Sequence, residues 1–191
     1  MTPSPTRGMR LIAFDPSLTA TGIAVLELAE TDRVLHVECI RTKPDKSSRH
    51  LYKADEDGER IDSIADRVLA LITQYEPRIA ACEAPAGSQH ANAAKALALA
   101  YATVRTALRA HGVMPMMVQA FEAKIAASGS KKASKEQVRE AMRARWGVPE
   151  IALGSRLADP VQEAIADALA VASCALESRD VRTIRAALTA P

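Results

Sequence analysis

The stretch Leu11-Ile12-Ala13-Phe14-Asp15-Pro16-Ser17-Leu18-Thr19-Ala20-Thr21-Gly22-Ile23-Ala24-Val25-Leu26-Glu27-Leu28 decides the fold. Leu11 to Phe14 is a short apolar run ending at a turn signal, Asp15-Pro16-Ser17, and Gly22 to Leu28 reads as another strand, so the two form a hairpin. Val34 to Ile40 sets apolar Leu35, Val37 and Cys39 against polar His36 and Glu38, and this alternation predicts a third strand. Three antiparallel strands therefore open the chain.

Working outward, Thr42 to Glu59 is charged and carries Pro44, Asp57 and Gly58, which reads as a loop or poorly ordered insertion. Ile61, Ile64, Ala65, Val68, Leu71 and Ile72 then recur at three- and four-residue steps, one helical stripe facing a sheet, and Pro77 marks its end. Ile79 to Cys82 is a short strand closed by Glu83. An alanine-rich helix follows from about Ala91 to Ala110, and His111-Gly112 stops it before the apolar strand Val113 to Val118. Strands alternating with helices imply parallel pairing in this half. Ser134-Lys135-Glu136-Gln137 looks like a capping box before a helix to about Trp146, with Gly147 to Arg156 as loop. A last core helix starts near Asp159-Pro160 and runs past Leu176, trailed by a basic segment, Arg179 to Ala190.

The expected fold is α/β: a mixed five-stranded sheet, three antiparallel strands then parallel ones, with helices on both faces. At 191 residues one domain is expected, over 11–177, with a flexible tail at 1–10 and an extension at 178–191. Aromatics make up only 3% and alanine is abundant, so helices are expected to pack closely through small side chains. No stretch approaches the roughly 18 consecutive apolar residues of a membrane span, and Met1 to Arg10 has no apolar signal core; a cytoplasmic protein is expected. Cys39, Cys82 and Cys174 form no CxxC pair and read as small core residues, while His36, His50, His90 and His111 lack metal-ligand spacing. Trp146 and the Met114, Met116, Met117 cluster read as packing residues.

Chemistry enters through four carboxylates. Asp15 and Glu83 close two strands, and Glu163 and Asp167 lie four apart, hence on one face of the last helix. An acidic pair turned toward a sheet is costly unless it holds a cation. Hard Mg²⁺ takes carboxylate oxygens, and two ions about 3.5 to 4 Å apart can clamp a scissile phosphate. Taken singly, an aspartate after a strand is a turn residue and a spaced acidic pair a solvated helix face. The net charge of +2 does not announce a nucleic-acid binder, yet Lys124, Lys131, Lys132, Lys135, Arg139 and Arg143 make a locally basic region. Were the helix to begin a turn early, Lys131, Lys135, Arg139 and Arg143 would form one stripe suited to DNA phosphates.

Ile12-Ala13-Phe14-Asp15-Pro16-Ser17 with Thr21-Gly22 resembles the first strand and turn of RuvC-type Holliday junction resolvases, which have an RNase H-like fold. Arg41-Thr42-Lys43, Ile72 to Pro77 with Glu83, Asn92-Ala93 with Ala96-Leu97 and Leu99, Lys124 through Val138, and Ala166-Asp167-Ala168-Leu169-Ala170 resemble later family segments, in order from about Leu11 to Cys174. The resemblance implies a metal-dependent endodeoxyribonuclease with Asp15, Glu83 and Asp167 as metal ligands. Mg²⁺, replaceable by Mn²⁺, is the expected cofactor, with two ions per site and no nucleotide. It further implies branched DNA as partner, and basic positions Lys124 and Lys135 near the scissile phosphate.

Three departures stand out. The family's last two acidic residues are usually three apart, but Ala164 occupies that place here and Glu163, one residue earlier, is a substitute. The loop after Glu83 holds Ala84-Pro85-Ala86 where bacterial resolvases carry a nearby aromatic, and the charged stretch Lys46 to Glu59 is long. Such variation fits a phage or prophage relative better than a housekeeping copy. Two other functions compete: an RNase H-fold DNA-binding or assembly subunit that has lost catalysis, and an actin- or sugar-kinase-like phosphotransferase. Length and the lack of a second glycine-rich phosphate turn weigh against the latter. Because a four-way junction has an approximate two-fold axis, a symmetric dimer is expected, paired through Ala94, Ala98, Tyr101 and Arg105.

Overall fold

In the computed structural model, residues 8–42, 52–85, 87, 90–151 and 156–189 are described. Strand β1 (Met9–Asp15) lies in the middle of a five-stranded sheet of order β3-β2-β1-β4-β5. It pairs antiparallel with β2 (Ala20–Leu28), which pairs antiparallel with β3 (Arg33–Arg41). On its other side β1 runs parallel to β4 (Ile79–Glu83), and β4 parallel to β5 (Pro115–Val118). Leu11 to Phe14 are all fully buried, because a central strand covered on both faces has no polar side.

Period-two alternation sorts these residues between two cores. Ile12, Phe14, Ile23, Val25 and Cys82 pack with Ile64, Val68 and Leu71 of α1 (Lys53–Tyr75) and Val104 and Leu108 of α2 (Ala91–Ala110). Leu11, Ala13, Ala24, Leu26 and Ala81 face the other way. There they meet α3 (Ala120–Ser128), α4 (Lys135–Trp146), α5 (Asp159–Glu177) and α6 (Arg179–Thr189). Helix α5 is buried around most of its circumference, from Val161 to Leu176, and its many alanines let it lie close to the strands.

Several local expectations are revised. Lys53 to Glu59 is not loop but the first turns of α1, fastened to α2 by a Lys95–Asp57 ion pair of 2.6 Å; the rest of the charged stretch, 43–51 with His50, lies outside the described residues, as do residues 1–7 of the tail and 190–191. The trailing basic segment is helical: Val181 is buried, and Arg185 donates to Asp32 at 2.6 Å and to the Ala29 carbonyl at 3.0 Å. Met114 and Met117 are exposed rather than packed, since β5 is an edge strand. Trp146 is half-buried, its Nε1 donating to Ser173 Oγ at 3.2 Å. Ser134 does cap α4 through the expected box with Gln137. Helix α4 thus begins at Lys135, and Lys131 and Lys132 sit in the preceding turn, so no four-residue stripe runs through Lys131.

Gly22 is the point where α5 touches the sheet. A Cβ there would stand 1.9 Å from the Ala164 carbonyl oxygen and 2.5 Å from its carbon, both backbone atoms that cannot swing aside. Gly22→Ala is expected to cost about 3 kcal/mol, the upper end for overpacking a core. At about 2–4 °C per kcal/mol for a chain of this size, the melting temperature falls by roughly 6–12 °C. Thermal denaturation measures this directly; an unchanged midpoint contradicts the seating of α5 on β2.

Candidate active site

Asp15 and Glu83 end two adjacent parallel strands, β1 and β4, in the register Phe14 beside Cys82. Phe14 and Cys82 face α1 and α2, so the next residue on each strand, Asp15 and Glu83, faces α5. The turn after Asp15 is pinned by fully buried Thr21, whose hydroxyl donates to the Ser17 carbonyl at 2.6 Å and accepts from the Ser17 N–H at 3.2 Å. Gly22 pairs directly with Asp15, and Ala164 rests on Gly22. Glu163 and Asp167 thereby straddle the contact, one residue before and three after.

The electrostatics follow from this burial. Desolvation first, then the charges of Glu83 and Asp167, push the Asp15 carboxyl well above its ordinary value, against a smaller opposing effect of Lys135. Glu83 is raised to about 7 by burial and by Asp167, with Lys124 pulling the other way. Asp167 is raised to about 6, again mainly by burial, Glu163 adding to the shift while Lys135 and Lys124 oppose it. The three acids are coupled through the field they share. Among the described residues, though, no three acidic, histidine or cysteine side chains close into a ready-made cluster of ligand atoms.

Glu163 behaves differently: its Oε2 accepts from Lys135 Nζ at 2.6 Å, an ion pair between α5 and α4 at the rim. Sequence spacing groups Glu163 with Asp167; the fold places one on a lysine and the other beside the strand-end acids. Lys124, on α3, acts on both Glu83 and Asp167. Arg139 is bound to Asp159 at 3.1 Å and Arg143 to Glu140 of its own helix, while Lys131 and Lys132 are exposed. Asp159 is the first residue of α5, after the N-cap Ala158. Nothing in the sequence announces the Lys135–Glu163 or Arg139–Asp159 pairs, because their partners are distant along the chain.

Three half-buried, largely desolvated carboxylates with only lysines to offset them fit a hard divalent cation, which prefers such oxygens. Comparison with known proteins agrees with this chemistry. Residues 11–175 match the sequence profile of the crossover junction endodeoxyribonuclease RuvC family. This chain belongs to the RuvC family. The RuvC of Treponema denticola is 31% identical over 176 residues, 92% of this chain and 90% of that protein. The RuvC of Pelobacter propionicus is 32% identical over 181 residues, 94% and 93% of the two chains. Among solved structures, Thermus thermophilus RuvC in complex with a Holliday junction substrate superposes with a TM-score of 0.69 at 27% identity, covering 87% of this chain and 94% of that one. The RNase H-like fold is therefore common to both.

A carboxyl whose folded pKa is raised binds its proton more tightly in the native state, so its contribution to stability is complete below about pH 4 and is lost as pH rises through about 6 for Asp167 and about 7 for Glu83. In chelator-treated protein, Glu83→Gln is expected to melt higher than wild type at pH 8 and to converge with it at pH 4. Parallel melting curves across that range contradict the raised Glu83.

Proposed function

We propose that this chain is a metal-dependent, structure-selective endodeoxyribonuclease that hydrolyses phosphodiester bonds at four-way DNA junctions in the cytoplasm. The observation that carries this reading is the convergence of Asp15, Glu83 and Asp167 on one desolvated edge of the sheet, with Lys124 and Lys135 at its rim. The junction as substrate is supported by family membership and by the Holliday junction bound to the Thermus thermophilus relative. Family membership also favours nuclease chemistry over a phosphotransferase.

Asp15, Glu83 and Asp167 would hold Mg²⁺, with two ions and Mn²⁺ as a substitute; bound there, the metal supplies an activated water and charge stabilisation at the phosphate. Raised carboxyl pKa values mean that protons and cations compete for these oxygens, so ligand competence grows toward neutral pH. Glu163 completes the acidic set when Lys135 turns from it to a DNA phosphate. Lys124 neutralises the scissile phosphate from the α3 side. Lys131, Lys132, Arg139 and Arg143 extend the contact along the DNA backbone, positioning without reading sequence.

Paired nicks on opposite strands require two sites related by a two-fold axis, so we assign the active form as a homodimer. Helix α2 offers the interface: Ala98 is exposed, and Arg105 donates to the Tyr101 hydroxyl at 3.1 Å, which in turn points to Met117 at 3.5 Å. Sedimentation at micromolar concentration with and without junction DNA tests the assignment, and a strict monomer in both refutes it.

The nuclease reading is tested by nicking of a four-way junction against linear duplex of the same sequence, with and without Mg²⁺. Asp15→Asn and Glu83→Gln should each lower the rate roughly 10³-fold, equivalent to several kcal/mol of lost charge stabilisation, while junction binding stays within a few fold. Lys124→Ala and Lys135→Ala should slow cleavage and reduce the log-log salt slope of binding by about 0.9 per lost phosphate contact. Wild-type cutting by either carboxylate variant removes the assignment of the site.

A further inference from the structure

The chain has two phenylalanines, and they occupy opposite environments. Phe14 is fully buried; Phe121 is 52% exposed. It is the second residue of α3, just beyond Val118, which pairs with Glu83 and whose carbonyl accepts from the Ala84 N–H at 2.8 Å. Phe121 therefore stands next to the strand ends that carry the acids. The first turn of α3 is stiffened by a capping box, the Gln119 N–H donating to Glu122 Oε2 at 2.8 Å.

Helical spacing sets Phe121, Lys124 and Ile125 on one face, while Ala123, on the other side, is buried in the core with α5. Ile125 is 45% exposed. An aromatic and a large aliphatic side chain thus stand in water on the helix face of the lysine that acts on Glu83 and Asp167. Leaving them there is unfavourable unless something apolar covers them during function. The segment after Glu83, Ala84-Pro85-Ala86-Gly87-Ser88-Gln89-His90, has no large apolar side chain for that edge of the site.

We infer that Phe121, with Ile125 beside it, is a stacking platform for a base splayed out at the branch point while Lys124 holds the adjacent phosphate. This rests on the junction reading given above. DNA is the occupant because the apolar face is continuous with the nuclease site and shares its helix face with a phosphate-seeking cation. A duplex interior keeps its bases stacked on each other, whereas a branch point offers a base whose face is easily freed, and every base has a π-face to lay on a phenyl ring. Phe121 is thereby a positioning and specificity residue: it favours branched over linear DNA by holding the opened state, and does not touch the reacting atoms.

The test uses the full chain and a synthetic four-way junction with 2-aminopurine at the crossover, in two versions, fully paired and mismatched at the crossover. Fluorescence is read without divalent cation and nicking with Mg²⁺. Phe121→Ala is expected to lose the fluorescence rise seen with wild type and to cut the paired junction about tenfold more slowly, in line with loss of one aromatic–base stack. It should recover to within about twofold of wild type on the mismatched junction, where the base is already free. Phe121→Trp should behave as wild type on both, and neither variant should change the salt slope of binding. Phe121→Ala cutting both junctions like wild type overturns the inference, and so does equal slowing on both, which marks a structural role. A shift of Phe121→Ala from dimer to monomer in sedimentation overturns it in favour of a contact between copies. If wild type itself cuts linear duplex as fast as the junction, the substrate reading fails and this inference with it; wild-type selectivity with an indifferent Phe121 removes the inference alone.

Discussion

Helix α5 rests on the sheet at a place where no side chain intervenes. The Ala164 carbonyl sits where a Cβ on Gly22 would be, so helix backbone meets strand backbone. Everything chemical depends on that distance. Gly22 is the antiparallel partner of Asp15, and β4 delivers Glu83 from the other side of β1. A helix held a side chain's thickness farther out would leave Asp167 in water with an ordinary pKa. Alanines at 164, 168 and 172 extend the approach along the helix, each buried and none large enough to lift it off the strands.

The same closeness makes the acids expensive. Asp15, Glu83 and Asp167 lose hydration and gain each other's negative charge, and two lysines offset only part of this. Other carboxylates in the molecule show what full compensation looks like. Burial opposes ionisation of Glu38, but hydrogen bonds from Arg67 and His36 outweigh it and hold the carboxyl below its ordinary value; the Arg67 contact is 2.6 Å and ties β3 to α1. Asp57 is likewise held low by Lys95. Structural acids here come with partners, whereas the strand-end acids are left in deficit. That contrast is what supports the proposal of a cation site at the latter.

The two faces of the sheet divide the labour. On one, α1 and α2 bury Ile12, Phe14 and Ile23, and the outer side of α2 is the face proposed for the dimer. On the other, α3, α4 and α5 bring the lysines and acids to one edge, α4 fastened to α5 by Lys135–Glu163 and Arg139–Asp159. These rim pairs are half exposed, and each adds little to stability in water. In the proposed function their value lies in being exchangeable: a phosphate would take the lysine and free Glu163 to join the acids.

What the sequence determined by itself was local. An apolar run with a turn signal gave the hairpin and period-two alternation the third strand, the Ser134–Gln137 box gave the start of α4, and Asp15 and Glu83 were legible at strand ends. These signals act over a few residues, where backbone geometry alone sets which side chains share a face. Tertiary structure decided the rest. Glu163 and Asp167 look equivalent at a four-residue spacing, and only the seating of α5 on Gly22 sends Asp167 beside the strand-end acids and Glu163 to Lys135, 28 residues away in sequence. Lys53 to Glu59 reads as loop because its charges hide a helix whose Asp57 meets its partner, Lys95, on α2. Met114 and Met117 read as packing residues, yet β5 lies at an edge and leaves both exposed. Hydrophobicity states that a side chain prefers company; where the sheet ends determines whether the fold provides it.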